Sequence, residues 1–118
     1  MHTIIPAMLK QDGEVFMPFG VMGGGYQPVG HARLVSNLID FGMDLQSAID
    51  APRCFADGGV LKAERSYPAQ VRQALADLGH KVEVPDAPLG GAQAIRIHDT
   101  GVLEGASDSR KDGCALGY

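Results

Sequence analysis

Apolar and polar positions set the first elements. Residues 2–9 and 14–21 are apolar, β-branched and aromatic runs, and Gln11-Asp12-Gly13 between them is a hairpin signal. Pro6 puts the first strand at an edge or a bulge, and Pro18 marks the return strand. The period then lengthens. Over residues 26–41, Val29, Ala32, Val35, Leu38 and Ile39 recur at helical spacing, Pro28 fits the first turn and Gly42 suits the residue just past the end. Asp44 is placed to cap a short helix over 45–51, which Pro52 terminates. Residues 53–57 and 60–64 read as short strands around Asp57-Gly58-Gly59. Val71, Ala74, Leu75 and Leu78 give one apolar helical stripe, capped by Ser66 or Tyr67, with Pro68 at its start and Gly79 at its end. Residues 81–84, 92–98 and 102–107 alternate as strands, with 85–91 a Pro/Gly loop, and the 108–118 tail is expected at the surface or against an edge. The order β-β-α-α-β-β-α-β-β-β, rich in hairpins, predicts an α+β fold with helices packed on mainly antiparallel strands, not a doubly wound parallel sheet.

The strand over 14–21 runs into Gly23-Gly24-Gly25 and then into the first long helix. Consecutive glycines free the backbone for positive φ and leave it without side chains. The helix start that follows presents unpaired N–H groups and the positive end of a dipole. Together these suit an anion, or an oxyanion that develops during a reaction. Nucleotide phosphates fit poorly. The Gly-Lys-Ser/Thr ending of a phosphate-binding loop is missing, and Gly23-x-Gly25-x-x-Pro28 breaks the dinucleotide fingerprint at its third glycine. A tight strand-to-helix turn without chemistry is the structural alternative.

At 118 residues the chain is expected to be one domain. The net charge of −4, with Lys and Arg scattered, argues against nucleic acid as a partner. No apolar run approaches the ~20 residues of a membrane span, and Lys10 to Glu14 interrupts any leader-like segment. Cys54 and Cys114 have neither metal-ligand nor disulfide-framework spacing, which favours a cytoplasmic setting with free thiols, while a longer parent protein could be exported. His2, His31, His80 and His98 share no metal-like spacing, so no metal is expected. The serines lack a nucleophile-elbow context, and Ser107-Asp108-Ser109-Arg110 reads foremost as a turn with side-chain-to-backbone bonds, with an Asp–Arg pair across it as the other reading. The chain thus carries the stabilising half of an active site and no convincing nucleophile.

The ordered series His2-Thr3-Ile4-Ile5-Pro6, Asp12-Gly13, Gly23-Gly24, Asn37 to Met43, Ala51-Pro52-Arg53, Gly79-His80-Lys81-Val82 and Gly105-Ala106-Ser107-Asp108-x-Arg110-x-Asp112-Gly113, ending in Gly117-Tyr118, resembles the γ-glutamyltranspeptidases. The resemblance spans nearly the whole chain and places it as the C-terminal portion of the small catalytic subunit, with Tyr118 as the natural end. It implies a partial N-terminal-nucleophile hydrolase fold, an αββα sandwich. It also implies an N-terminal Thr that attacks a γ-glutamyl amide, with its own α-amine as base. That Thr belongs upstream of Met1, so the segment alone is expected to be inactive. Its partners are then the upstream segment, the large subunit and a γ-glutamyl or related amide.

In the family a Gly-Gly pair donates N–H groups to the tetrahedral intermediate, and the pair matches Gly23 and Gly24. Thr3 and His2 match the Ser-Ser pair that helps hold the substrate α-carboxylate, so they are the substrate-binding candidates. The change of residue type there widens the expected substrates to related amides. Arg53 and the Asp108–Arg110 turn are expected to be structural. No cofactor is implied. Strand edges left unpaired predict exposed apolar surface and self-association. The competing class is a non-catalytic α+β binding or relic domain that uses its glycine turn for an anion or a partner.

Overall fold

Two residues with positive φ, Asp12 at 52° and Gly13 at 89°, turn the chain back on itself and join β1 (Pro6–Gln11) to β2 (Glu14–Met22). The computed structural model describes residues 4–117, so the candidates His2 and Thr3 lie outside the described residues. After β2 come a 3₁₀ turn (Gly24–Tyr26), α1 (Gln27–Ile39), α2 (Leu45–Asp50), β3 (Cys54–Asp57), β4 (Val60–Ala63), α3 (Ala69–Asp77), β5 (Val82–Glu83), β6 (Gly91–Ile97) and β7 (Leu103–Ser107). Strands and helices follow one another as the pattern predicts, and the fold is α+β. Ile4 and Ile5, expected in the first strand, lie outside β1, which begins at Pro6.

The chain divides into two compact units, residues 1–50 with 90–118, and residues 51–89. The first holds an antiparallel sheet in the order β1-β2-β6-β7. Met17, Phe19 and Val21 alternate on one face of β2 and are buried. Phe19 pairs with Ala94 and Ala94 with Ala106, so small side chains fill the same face of the neighbouring strands. There α2 seats Leu45, Ala48 and Ile49 in the core. On the other sheet face Met8 is 55%, Ile95 46% and Leu103 65% exposed, and the tail crosses part of it, with Ala115 against Gly105 and Gly113 against Gln93 and Ser107. That is the exposed apolar surface expected of a sandwich with one sheet incomplete.

Helix α1 differs from the reading of its pattern. Gly30, Leu34 and Asn37 are buried, while Val29 and Ile39 are exposed. The cause is Gly30. A β-carbon there would lie 2.6 Å from Val21 Cγ1 and 2.7 Å from Tyr26 Cε1, so the helix approaches β2 along its bare face. Asn37 can sit inside because its Nδ2 donates to Ala48 O at 3.1 Å. The expected termination holds: Gly42 takes φ +62° and Met43 N–H reaches Asn37 O at 3.0 Å. Asp44 Oδ1 caps α2 by accepting Ser47 N–H at 2.9 Å.

The tail is mostly exposed, as expected, except at its start, where Asp108 is fully buried. Its backbone N–H continues the sheet by donating to Ala92 O, and its carboxylate accepts Ala92 N–H at 3.0 Å and Arg110 Nε at 2.8 Å. The pairing of Asp108 with Arg110 across a turn is as expected; its depth is not.

In the second unit, β3 and β4 form a hairpin closed by Gly58 and Gly59, both with positive φ, and β5 pairs parallel to β4. Arg53 and Glu64, 2% and 5% exposed, form its buried ion pair. Helix α3 starts from Pro68, whose carbonyl accepts Val71 and Arg72 N–H; neither Ser66 nor Tyr67 caps it. It ends in a Schellman turn, with His80 N–H on Leu75 O and Gly79 N–H on Ala76 O. Its stripe is not core: Val71 is 38% and Leu78 79% exposed.

Candidate active site

The glycine turn joins the last residue of β2 to the 3₁₀ turn ahead of α1. Gly23 takes φ 129° and ψ 28°, a conformation closed to ordinary L-residues, and Gly24 takes φ +58°. The carbonyls of this turn are occupied. Gly23 O accepts Tyr26 N–H at 3.1 Å, and Gly24 O accepts both the backbone N–H of Gln27 and its Nε2, the latter at 3.1 Å. The Gly23 and Gly24 N–H groups donate to no acceptor among the described residues, and both residues are exposed. In a trans peptide the N–H points opposite to the C=O. Since Gly23 O turns toward the helix start, Gly24 N–H turns away from it and remains free to meet a ligand.

Three residues outside the predicted site hold this turn. Gln27 is 5% exposed, and its side chain pins the Gly24 carbonyl from within the first helical turn. His31, one turn on, is bonded through Nδ1 to Gln27 O at 2.7 Å and lies 5.2 Å from the Phe19 ring. A carbonyl only accepts, so Nδ1 donates this bond, and Nε2 is buried with no hydrogen-bond partner among the described residues. The third residue is Gly90. It takes φ +62°, and a β-carbon on Gly23 would lie 2.8 Å from its Cα. The signal for it was in the sequence as Gly90-Gly91, which a loop assignment absorbs.

The remaining candidates fall elsewhere. His98 Nε2 bonds Glu104 Oε2 at 2.9 Å at the far end of β6 and β7. Arg53 is tied to Glu64, and Arg110 binds Asp108 while its guanidinium donates to Ile49 O at 2.6 Å. Asp50, at the same end of α2, titrates below the ordinary carboxylate range. Burial alone would raise it, but hydrogen bonds from Gln46 and Ser109 and the Arg110 charge outweigh that. Among the described residues no group of His, Cys, Asp and Glu could hold a metal ion, and no helix is long and apolar enough to cross a membrane. Cys54 and Cys114 are free thiols.

An antiparallel sheet with helices packed on one face is the α+β plan of the γ-glutamyltranspeptidase structures to which the chain is similar. The γ-glutamyltranspeptidase from Pseudomonas nitroreducens complexed with L-DON matches the whole chain and 63% of its own chain, with a TM-score of 0.90 at 25% identity. The profile of the Gamma-glutamyltranspeptidase family matches residues 1–118, and the chain belongs to that family. Two relatives are nearer in sequence. The oxamate amidohydrolase proenzyme of Klebsiella pneumoniae is 39% identical over 99% of this chain and 24% of its own length. The cephalosporin acylase of Bacillus halodurans is 40% identical over 99% of this chain and 23% of its own, with a TM-score of 0.88. The chain spans about a quarter of the length of the curated relatives it matches.

Proposed function

We propose that residues 1–118 are the C-terminal portion of the small subunit of an amide-cleaving enzyme, and that Gly23 and Gly24 donate its oxyanion-hole hydrogen bonds. The observation that carries this is the turn itself, with its carbonyls bonded inward and its two N–H groups unclaimed by the described residues. In this reading an N-terminal Thr, contributed by chain upstream of Met1, attacks the amide carbon. Its α-amine takes the hydroxyl proton, and the carbonyl oxygen becomes an oxyanion facing Gly23 and Gly24. Collapse expels the amine, which leaves with that proton, and water or an acceptor amine then attacks the acyl-Thr ester. The large subunit completes the substrate pocket, with Thr3 and His2 at its rim.

The substrate class is an acyl amide broader than glutathione. Identities of 39% and 40% to an oxamate amidohydrolase and a cephalosporin acylase, against 25% to a γ-glutamyltranspeptidase, support that breadth. So does His2-Thr3 in place of the Ser-Ser pair.

The test is a chimaera in which this chain replaces the matching stretch of the Klebsiella oxamate amidohydrolase. Self-cleavage of the precursor and turnover of oxamate or acyl-p-nitroanilides are expected. Gly23→Ala keeps its N–H but, with φ 129° and Gly90 Cα 2.8 Å from the new β-carbon, displaces it, and a misplaced oxyanion donor should cost up to the about 10²–10³ in kcat of a lost one. A folded Gly23→Ala chimaera with full turnover overturns the assignment. A chimaera that folds and binds substrate but never turns over favours a non-catalytic binding domain.

A further inference from the structure

Gly90 packs against a carbonyl, and that carbonyl belongs to the peptide that carries Gly23 N–H. A β-carbon on Gly90 would fall inside the van der Waals envelope of Met22 O, 2.7 Å from Tyr26 Cδ1 and 3.1 Å from Tyr26 Cε1. Tyr26, 3% exposed, also lies over Gly30, where a β-carbon would meet its ring at 2.7 Å. The ring is thus held between two glycines, and Gly90 is held between the ring and Met22 O. The contact is reciprocal, because Gly23 has no room for a side chain on the Gly90 side.

Met22 O and Gly23 N–H are opposite ends of one planar trans unit, so fixing one fixes the other. We propose that Gly90 is a positioning residue. Its missing side chain lets the backbone seat against Met22 O, which sets the Met22–Gly23 peptide plane and aims Gly23 N–H at the developing oxyanion. The inference rests on Gly23 being an oxyanion donor. It adds a residue about which the glycine-turn motif alone says nothing.

The substitution that tests it is Gly90→Ala. The strain control is Gly101→Ala, which places alanine at φ +81° in open space on the turn before β7. Amide spectra of the 118-residue chain report on Gly23 N–H, and turnover of the chimaera reports on chemistry. Gly90→Ala should shift the Gly23 amide resonance and lower kcat by about 10²-fold, the scale of a small misplacement of a catalytic group, with KM little changed. Gly101→Ala should do neither. A Gly23 amide that stays in place in folded Gly90→Ala overturns the positioning role. An amide that moves while kcat holds overturns Gly23 as an oxyanion donor and leaves the peptide-plane geometry standing. Should Gly90→Ala not fold, the unaltered chain decides. A Gly23 N–H order parameter near 0.85 is expected, and one below about 0.6 overturns the proposal.

Discussion

The Asp108 carboxylate, fully buried, is met by Arg110 from two residues along the chain: Nε lies 2.8 Å from Oδ1, and the backbone N–H of Arg110 reaches the same oxygen at 3.1 Å. Arg110 then spans to the end of α2, donating to Ile49 O at 2.6 Å and Asp50 O at 3.3 Å. One buried charge pair thereby joins the last strand to the helix on its face. Removing one partner of such a pair leaves the other uncompensated, at a cost of about 3 kcal/mol. Asp108→Ala should lower the unfolding free energy, read from a urea titration, by that amount. Asp108→Asn, which keeps an acceptor for Ala92 N–H, should cost less. Equal loss in both variants would show that the charge, not the retained acceptor, carries the contact.

The two glycines of the turn should respond differently to alanine. A β-carbon on Gly24 meets nothing within 4 Å, so Gly24→Ala bears only its left-handed φ of +58°, about 1 kcal/mol. Its N–H survives in place, and turnover in the chimaera should change by less than about tenfold. Gly23→Ala combines φ 129° with the Gly90 backbone at 2.8 Å and should disable the site. Equal loss of activity in the two variants would contradict this ranking.

The elements were legible because local signals agreed with one another. Asp12-Gly13, Asp44, Gly42 and Gly79 each sit where a turn or cap requires them. The α1 face was misread because periodicity counts apolar side chains, and α1 packs where there is none, at Gly30. The depth of Asp108 was misread for a related reason: an acidic residue in a charged, glycine-rich tail looks solvated until its partners from α2 and β6 are known. Gly23 and Gly24 stood out by composition. Gln27, His31 and Gly90, which hold them, act through contacts that only the folded chain brings together.

Glu64 gathers the two ends of the second unit. Its carboxylate accepts Arg53 N–H at 3.0 Å, Arg53 Nε at 3.2 Å and Leu89 N–H at 2.9 Å. Glu64→Gln retains one acceptor oxygen and loses the charge that the buried Arg53 requires. Hydrogen exchange should accelerate at Leu89 and along β3 and β4, while β2 and β6 keep their protection. Unchanged exchange at Leu89 would show that the bond contributes little.

Acid should loosen the end of α2 first. The folded Asp50 carboxyl titrates below its ordinary value of 3.8. A lowered folded pKa means stability that is fully present above the unfolded value and lost as pH falls through the folded one. The loss therefore lies below pH 3.8, the ordinary carboxyl value that stands for the unfolded chain. Asp50→Asn should flatten the pH dependence of unfolding in that window and leave it unchanged near neutrality. A steep acid transition that survives Asp50→Asn would assign the effect to other carboxylates.

The 118-residue chain by itself should not hydrolyse γ-glutamyl-p-nitroanilide, since the proposed nucleophile is not among its residues. It should also self-associate. Met8, Ile95 and Leu103 make an apolar face on a sheet whose outer strands, β1 and β7, each have one unpaired edge among the described residues. Burying such a face against a second copy removes apolar area from water at about 25 cal/mol per Å². Sedimentation at rising concentration should show dimers or larger species, and Ile95→Lys, placed in the centre of that face, should reduce them. A monomer at millimolar concentration would show that these exposed apolar residues are tolerated in water. Turnover by chain free of host enzyme would place the nucleophile within residues 1–118 and remove the need for an upstream Thr.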